Sequence, residues 1–267
     1  MKMKMIQKLS TVAAFATVAM AAAFVSTASV QAAESGPEME HVDWSFNGPF
    51  GTFDRSQLRR GYKVYKEVCA SCHSMDLIHF RNLGEPGGPE FSGPEVKALA
   101  AEIKVQDGPD QSGDMFERPG EGKDKMPAPY PNPEAAAASL GAAPPDLSLL
   151  AKARNGGPDY IHALLTGYKD APADVAMPAG GHYNPYFAAG SGVIAMPPPL
   201  AEGQVDYGDG TPNTVDQMSK DVSAFMMWTA EPKLEQRHRM GFQVMIYLLV
   251  LAGILFFATR KVWSDQH

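Results

Sequence analysis

A mainly α-helical domain with long loops, tied to a membrane by one C-terminal helix, is the fold class this sequence predicts, and three observations carry it. Residues 241–259 run 19 positions without a charge. Two stretches, 55–68 and 215–226, repeat apolar residues at helical spacing. The 22 prolines and 25 glycines of the 267 residues favour turns over long regular elements and disfavour a large β-sheet enzyme fold.

At the N-terminus, Lys2, Lys4 and Lys8 precede a charge-free, alanine-rich stretch that ends Val30-Gln31-Ala32, with small residues at the outer positions. This is the pattern of an export signal over 1–32, cut after Ala32. Its three lysines leave with it, deepening the formal charge of −7 by three. So acidic a chain lacks the basic footprint that nucleic acid binding requires. The exported domain then occupies 33–240.

Within that domain, Leu58, Tyr62, Tyr65 and Val68 share one face of a helix whose C-terminal end delivers Cys69. The two cysteines of the chain follow as Cys69-Ala70-Ser71-Cys72-His73. C-x-x-C-H is the signature of covalent c-type haem attachment. Each thiol adds across a vinyl group of the porphyrin, and the adjacent His73 presents an imidazole nitrogen to the iron. A redox dithiol needs no following histidine and sits in a βαβ context that this proline-rich surrounding lacks. A structural zinc site needs four ligands, and there is no second cysteine pair.

A second axial ligand makes the iron six-coordinate, which permits electron transfer and closes the position that substrate chemistry needs. Methionine is the ligand that raises the reduction potential. Met126, Met177 and Met196 each precede a proline, which holds the backbone extended so that a loop can present the thioether rigidly. Spacing does not choose among the three.

The remaining segments read as follows. Residues 84–133, rich in Gly, Pro and acids, are expected to be mostly surface loop. Acidic residues gather at Glu34, Glu38, Glu40 and Asp43, and again at Asp107, Asp110, Asp114, Glu117, Glu121 and Asp124. A solvated face is the plain reading, but a negative field beside an exposed haem edge would also steer a basic soluble partner. Further on, Thr211 is the expected N-cap and Pro212 the first position of a helix that lines up Val215, Met218, Val222, Phe225 and Met226 as a core stripe and ends at Glu231-Pro232. A short basic link then enters the span 241–259, about 29 Å long as a helix, which leaves 260–267 as a cytoplasmic tail. Charges flanking the span do not fix its orientation, because Lys233, Arg237 and Arg239 precede it and only Arg260 and Lys261 follow. The export signal places the domain on the periplasmic side.

With these pieces in hand, the chain resembles the cytochrome c1 family, the haem subunits of quinol–cytochrome c reductase (bc1) complexes. The resemblance rests on CASCHSM (69–75), VQDGP (105–109), MFERPG (115–120), PYPNPEAA (129–136), PPDLS (144–148), NGGPDY (155–160), LLTGY (164–168), HYNPYF (182–187), AMPPPL (195–200), YGDGTP (207–212), DVSAFMMWTAEP (221–232) and RMGF (239–242). These cover essentially the whole mature chain in order. The resemblance implies a cytochrome c-like haem domain with insertions and one covalent haem c, held by Cys69, Cys72 and His73 with Met196 as the distal ligand. It implies that the Pro145 carbonyl accepts the Nδ1 proton of His73, and that Arg154 and Tyr160 contact a haem propionate. It further implies an electron carrier, no enzyme on its own, that takes an electron from a Rieske iron–sulfur protein beside cytochrome b and passes it to a soluble c-type cytochrome. The setting is the bacterial inner membrane. Some relatives carry an additional cysteine pair. Here both cysteines belong to the haem motif, so packing must hold the corresponding region.

Overall fold

The computed structural model of the protein describes residues 37–187 and 189–264. The expected export signal over 1–32, residue Glu34 and the last three residues of the tail lie outside them.

The chain first lays down a buried aromatic run, Trp44, Phe46 and Phe53, with successive ring centroids 5.5 and 4.9 Å apart. Helix α1 (Arg55–Glu67) starts at Asp54, whose carboxylate accepts the N–H groups of Ser56 and Gln57 at 2.8 and 3.2 Å. It buries Leu58, Gly61, Tyr62, Val64 and Tyr65 and runs directly into a 3-10 turn, Cys69–Ser71. A second such turn follows at Phe80–Gly84.

Residues 84–133 are more ordered than their composition predicts. Helix α2 (Gly93–Ala101) opens on a reciprocal capping box between Ser92 and Glu95. An antiparallel hairpin, β1 (Lys104–Asp107) with β2 (Phe116–Pro119), follows. Arg118 closes the hairpin by binding Asp107 on one side and Asp124, at 2.6 and 3.0 Å, on the other. Much of the second acidic cluster is therefore consumed locally: Glu117 pairs with Lys104 and Glu121 with Lys123.

Short helices α3 (Pro133–Leu140), α4 (Leu150–Ala153) and α5 (Pro158–Thr166) and the two-residue strands β3 (His182–Tyr183) and β4 (Val193–Ile194) lead to α6 (Val215–Ala230). The N-cap of α6 is Thr214, whose hydroxyl accepts Gln217 N–H at 3.2 Å, and not the expected Thr211. Thr211 is already used, its N–H being held by the Asp209 carboxylate at 2.8 Å in a loop turn, so Pro212 precedes the helix instead of opening it.

Helix α6 is the centre of the domain, with α1, α4 and α5 packed around it. Met218, Val222, Phe225 and Met226 are buried as expected, together with Trp228. Burying each such side chain stabilises the fold by about 2 kcal/mol. Gly61 permits the closest approach: a Cβ there would collide with the Asp221 carbonyl and lie 2.7 Å from Phe225 Cβ. Beside this contact the Asp221 carboxylate, fully buried, is gripped by Arg60 at 2.9 and 3.2 Å and by Gln217 at 2.9 Å.

The basic link expected before the apolar span is itself helical, forming the first turns of α7 (Leu234–Ser264). At 31 residues and about 46 Å this helix exceeds the hydrocarbon of a bilayer, and its apolar part is long and hydrophobic enough to cross one. The junction between α6 and α7 is bonded from several sides. Glu231 receives Lys152 at 3.0 Å and Arg237 at 2.6 Å, and Lys233 reaches Glu85 at 3.0 Å. Glu235 accepts Arg55 at 2.6 and 2.9 Å and the Phe53 N–H at 2.9 Å.

Candidate functional site

The last turn of α1 closes with Val68 N–H on the Val64 carbonyl at 3.0 Å, and the chain then tightens so that Cys72 and His73 both donate their N–H groups to the Cys69 carbonyl, at 3.1 and 2.9 Å. Two thiols and an imidazole are thereby gathered on a single turn at the end of a helix rooted in the core. Both thiols are free and half-buried. Burial pushes the Cys69 thiol up to about 12, the opposite of the depressed thiol that a redox dithiol needs.

The His73 ring is held from behind. Its Nδ1 lies 2.8 Å from the Pro145 carbonyl, which accepts the proton there and leaves Nε2 as the nitrogen available to iron. Burial lowers the His73 pKa, which favours the neutral imidazole that ligation requires. Residues 144–148 make a clasp around this loop. The Asp146 carboxylate accepts Ser74 Oγ at 2.7 Å, Asp76 N–H at 2.8 Å and Ser148 N–H at 2.9 Å. Ser148 Oγ takes Leu77 N–H at 3.1 Å, and Leu147 N–H donates to the Ser74 carbonyl at 2.9 Å. Burial pushes the Asp146 carboxyl upward, and these hydrogen bonds more than offset it, so the group stays below its ordinary value.

The three Met-Pro candidates separate. Met126 is buried in the hydrophobic core with its N–H on the Ile78 carbonyl at 3.0 Å, whereas Met177 is 40 % exposed. Met196 is half-buried just after β4, and its carbonyl accepts the Tyr168 hydroxyl at 3.0 Å. Tyr168 follows just after α5, the helix that carries Tyr160, so its hydroxyl ties the end of that helix to the Met196 loop. Arg154, exposed at the end of α4, donates to the Ala153 carbonyl at 3.2 Å.

Three supporting residues escaped the sequence reading. Asp146 and Ser148 are polar residues two apart beside a Pro-Pro pair, a pattern that only tertiary contact turns into a clasp. Asp159, next to Tyr160, accepts Trp44 Nε1 at 2.6 Å and Val42 N–H at 3.2 Å and lies 2.8 Å from His41 Nδ1, pinning the N-terminal segment to the start of α5. A cavity of about 520 Å³ against α1 is no rival site. Its cations Arg59, Arg60, Lys63 and Lys66 each face a carboxylate of Glu95, Asp221, Glu67 or Glu102.

The donor set, two thiols with an imidazole fixed by a carbonyl, fits a covalently attached haem. Comparison with known proteins agrees. The Cytochrome C1 family profile matches residues 44–266. The chain is 49 % identical to "Cytochrome c1-2, heme protein, mitochondrial" of Solanum tuberosum, across 90 % of this chain and 91 % of that protein. It is 44 % identical to "Cytochrome c1" of Rhodospirillum rubrum, across 88 % and 91 %. A "Cytochrome b/c1" of Bradyrhizobium diazoefficiens is 50 % identical across 95 % of this chain, which spans only 40 % of that longer protein.

Proposed function

Because the chain belongs to the cytochrome c1 family, we propose that it is the membrane-anchored electron carrier of a bc1 complex, with a single covalent haem c. It works beside cytochrome b, takes one electron from a Rieske iron–sulfur protein and hands it to a soluble c-type cytochrome. It is an electron-transfer subunit, with quinol chemistry left to the rest of the complex. The haem domain stands on the periplasmic side of the bacterial inner membrane, on the α7 anchor.

The observation that carries this reading is the fixed imidazole at the end of the Cys-x-x-Cys turn, with Nδ1 committed to Pro145. When bound, the haem supplies a one-electron iron couple. Cys69 and Cys72 would hold it by thioether bonds, and His73 would ligate it through Nε2. Met196 presents its thioether from a loop whose backbone Tyr168 steadies. A thioether favours ferrous over ferric iron and so keeps the potential high enough to accept an electron from an iron–sulfur centre. Arg154 and Tyr160 supply the donors that a partly buried propionate needs.

A redox titration with optical spectra on the full chain tests this, with Met126→Leu, Met177→Leu and Met196→Leu beside wild type. Met196→Leu alone should lower the potential, by on the order of 100 mV within the ~0.8 V that axial ligands span, and let the ferrous protein bind carbon monoxide. An unaltered spectrum and potential in Met196→Leu overturns the ligand assignment. A wild-type protein that itself binds carbon monoxide readily overturns the carrier reading in favour of chemistry at an open iron.

A further inference from the structure

Three cations precede the apolar part of α7, and two of them are engaged: Lys233 by Glu85 and Arg237 by Glu231. Arg239 makes no hydrogen bond among the described residues and acts on the nearby Glu235 carboxylate only through space, because the oxygens of Glu235 are taken by Arg55 and the Phe53 N–H. One turn beyond, Phe242 meets Phe50 edge to face, with ring centroids 6.0 Å apart. Phe50 is 76 % exposed, although it belongs to a tightly folded loop. Asn47 N–H bonds the Trp44 carbonyl and Thr52 N–H the Ser45 carbonyl, both at 3.0 Å, while Gly48 takes the left-handed conformation that its missing Cβ allows. The loop is fastened to α7 through Glu235, and His238 Nδ1 lies 3.3 Å from the Gly51 carbonyl. A rigid loop thus thrusts a bare aromatic ring against the flank of the helix where its apolar run begins. Between loop and helix lies a cavity of about 220 Å³, lined by Phe50 and its loop neighbours and by Glu235, His238, Arg239 and Phe242 of α7.

We infer that this cavity seats the headgroup of an anionic phospholipid, with the phosphate on Arg239 and Phe50 set into the acyl boundary beside Phe242. The inference rests on α7 being a membrane anchor. A lipid is the occupant the site favours because Arg239 and Phe242, two of its lining residues, stand at the start of the apolar run of α7, the helix long and apolar enough to cross a membrane. The polar wall of the cavity sets Arg239 and His238 beside Glu235, whose carboxylate oxygens are taken by Arg55 and the Phe53 N–H, so the Arg239 guanidinium, which makes no hydrogen bond among the described residues, keeps its donors for a phosphate. An exposed aromatic ring at this height has the amphipathic setting of an interfacial anchor.

The haem-loaded full chain in phosphatidylcholine nanodiscs, with and without phosphatidylglycerol, tests the inference. Wild type should retain phosphatidylglycerol preferentially in native mass spectrometry, and Arg239→Gln should retain about fivefold less. In a Phe50→Trp chain the introduced indole should emit blue of its water-exposed value and be quenched by lipids brominated near the glycerol end of the acyl chain, with the wild-type haem spectrum unchanged. Equal retention by wild type and Arg239→Gln overturns the inference, as does a solvent-exposed, unquenched indole in the lipid disc. An indole that becomes buried only when the bc1 complex assembles overturns it too, assigning the cavity to a neighbouring subunit. Failure of the chain to enter nanodiscs at all overturns the anchor reading together with it. Inorganic phosphate should not displace the retained lipid, and if it does the site binds a free anion.

Discussion

The two faces of the candidate haem site are built differently. On the His73 side, five directed hydrogen bonds join residues 74–77 to residues 146–148 and inside that clasp, and a sixth fixes the ring itself. On the Met196 side, among the described residues, a single tyrosine hydroxyl reaches the backbone, between the two-residue strand β4 and a proline run that leaves Pro197 and Pro198 exposed. An imidazole has two nitrogens and a ring plane to set, so its loop must be over-determined. A thioether asks only for reach. Hydrogen bonding is therefore denser around His73 than around Met196, and on the proposed reading the Met196 side is where ligation and potential could be tuned without unfolding the domain.

The sharpest way to break this comparison is Asp146→Ala, which strips three hydrogen bonds from a half-buried carboxylate and should cost about 3 kcal/mol in denaturant unfolding of the haem-loaded chain. Because the folded carboxyl lies below its ordinary value, the stability it adds is present above the unfolded pKa near 4 and lost as pH falls through the folded one. The acid limb of the wild-type stability curve should accordingly flatten in the variant. Next in size, Tyr168→Phe removes the distal bond to Met196 and should cost about 1 kcal/mol, with the haem spectrum retained. If the tyrosine variant proves the more damaging of the two, the asymmetry is reversed.

The effect spread most thinly over pH concerns His162 on α5, where it faces α6. It is buried with Nδ1 2.8 Å from Ser219 Oγ, and burial lowers its pKa. The unfolded chain then binds the proton more readily. Wild-type stability should hold above the ordinary histidine value near 6.5 and decline below it, by at most about 1.4 kcal/mol per pH unit. His162→Gln should remove that decline, read from melting temperatures between pH 7 and 5. An unchanged slope would place the pH sensitivity elsewhere.

What the sequence disclosed follows the same divide between local and distant. The Cys-x-x-Cys-His turn, the apolar face of α1 and the stripe on α6 depend on residues within a few positions, and each stands where its spacing predicts. The order in 93–119 was hidden by composition, since a hairpin closed by Arg118 looks like acidic loop until its ends meet. Thr211 was a plausible cap, but Asp209 competes for it over two residues and Thr214 does not face that competition. The clasp is the extreme case. Pro145 lies 72 residues from His73, and without the family resemblance nothing local marks its carbonyl as the partner of an imidazole.

The bonded junction between α6 and α7 has a mechanical consequence. With Glu231, Lys233 and Glu235 each bonded to the domain within five residues, the globular head is braced on its stalk from several sides. On the proposed reading, a head so braced would stay at a constant altitude over the lipid, and any gap between incoming and outgoing redox partners would have to be closed by those partners travelling.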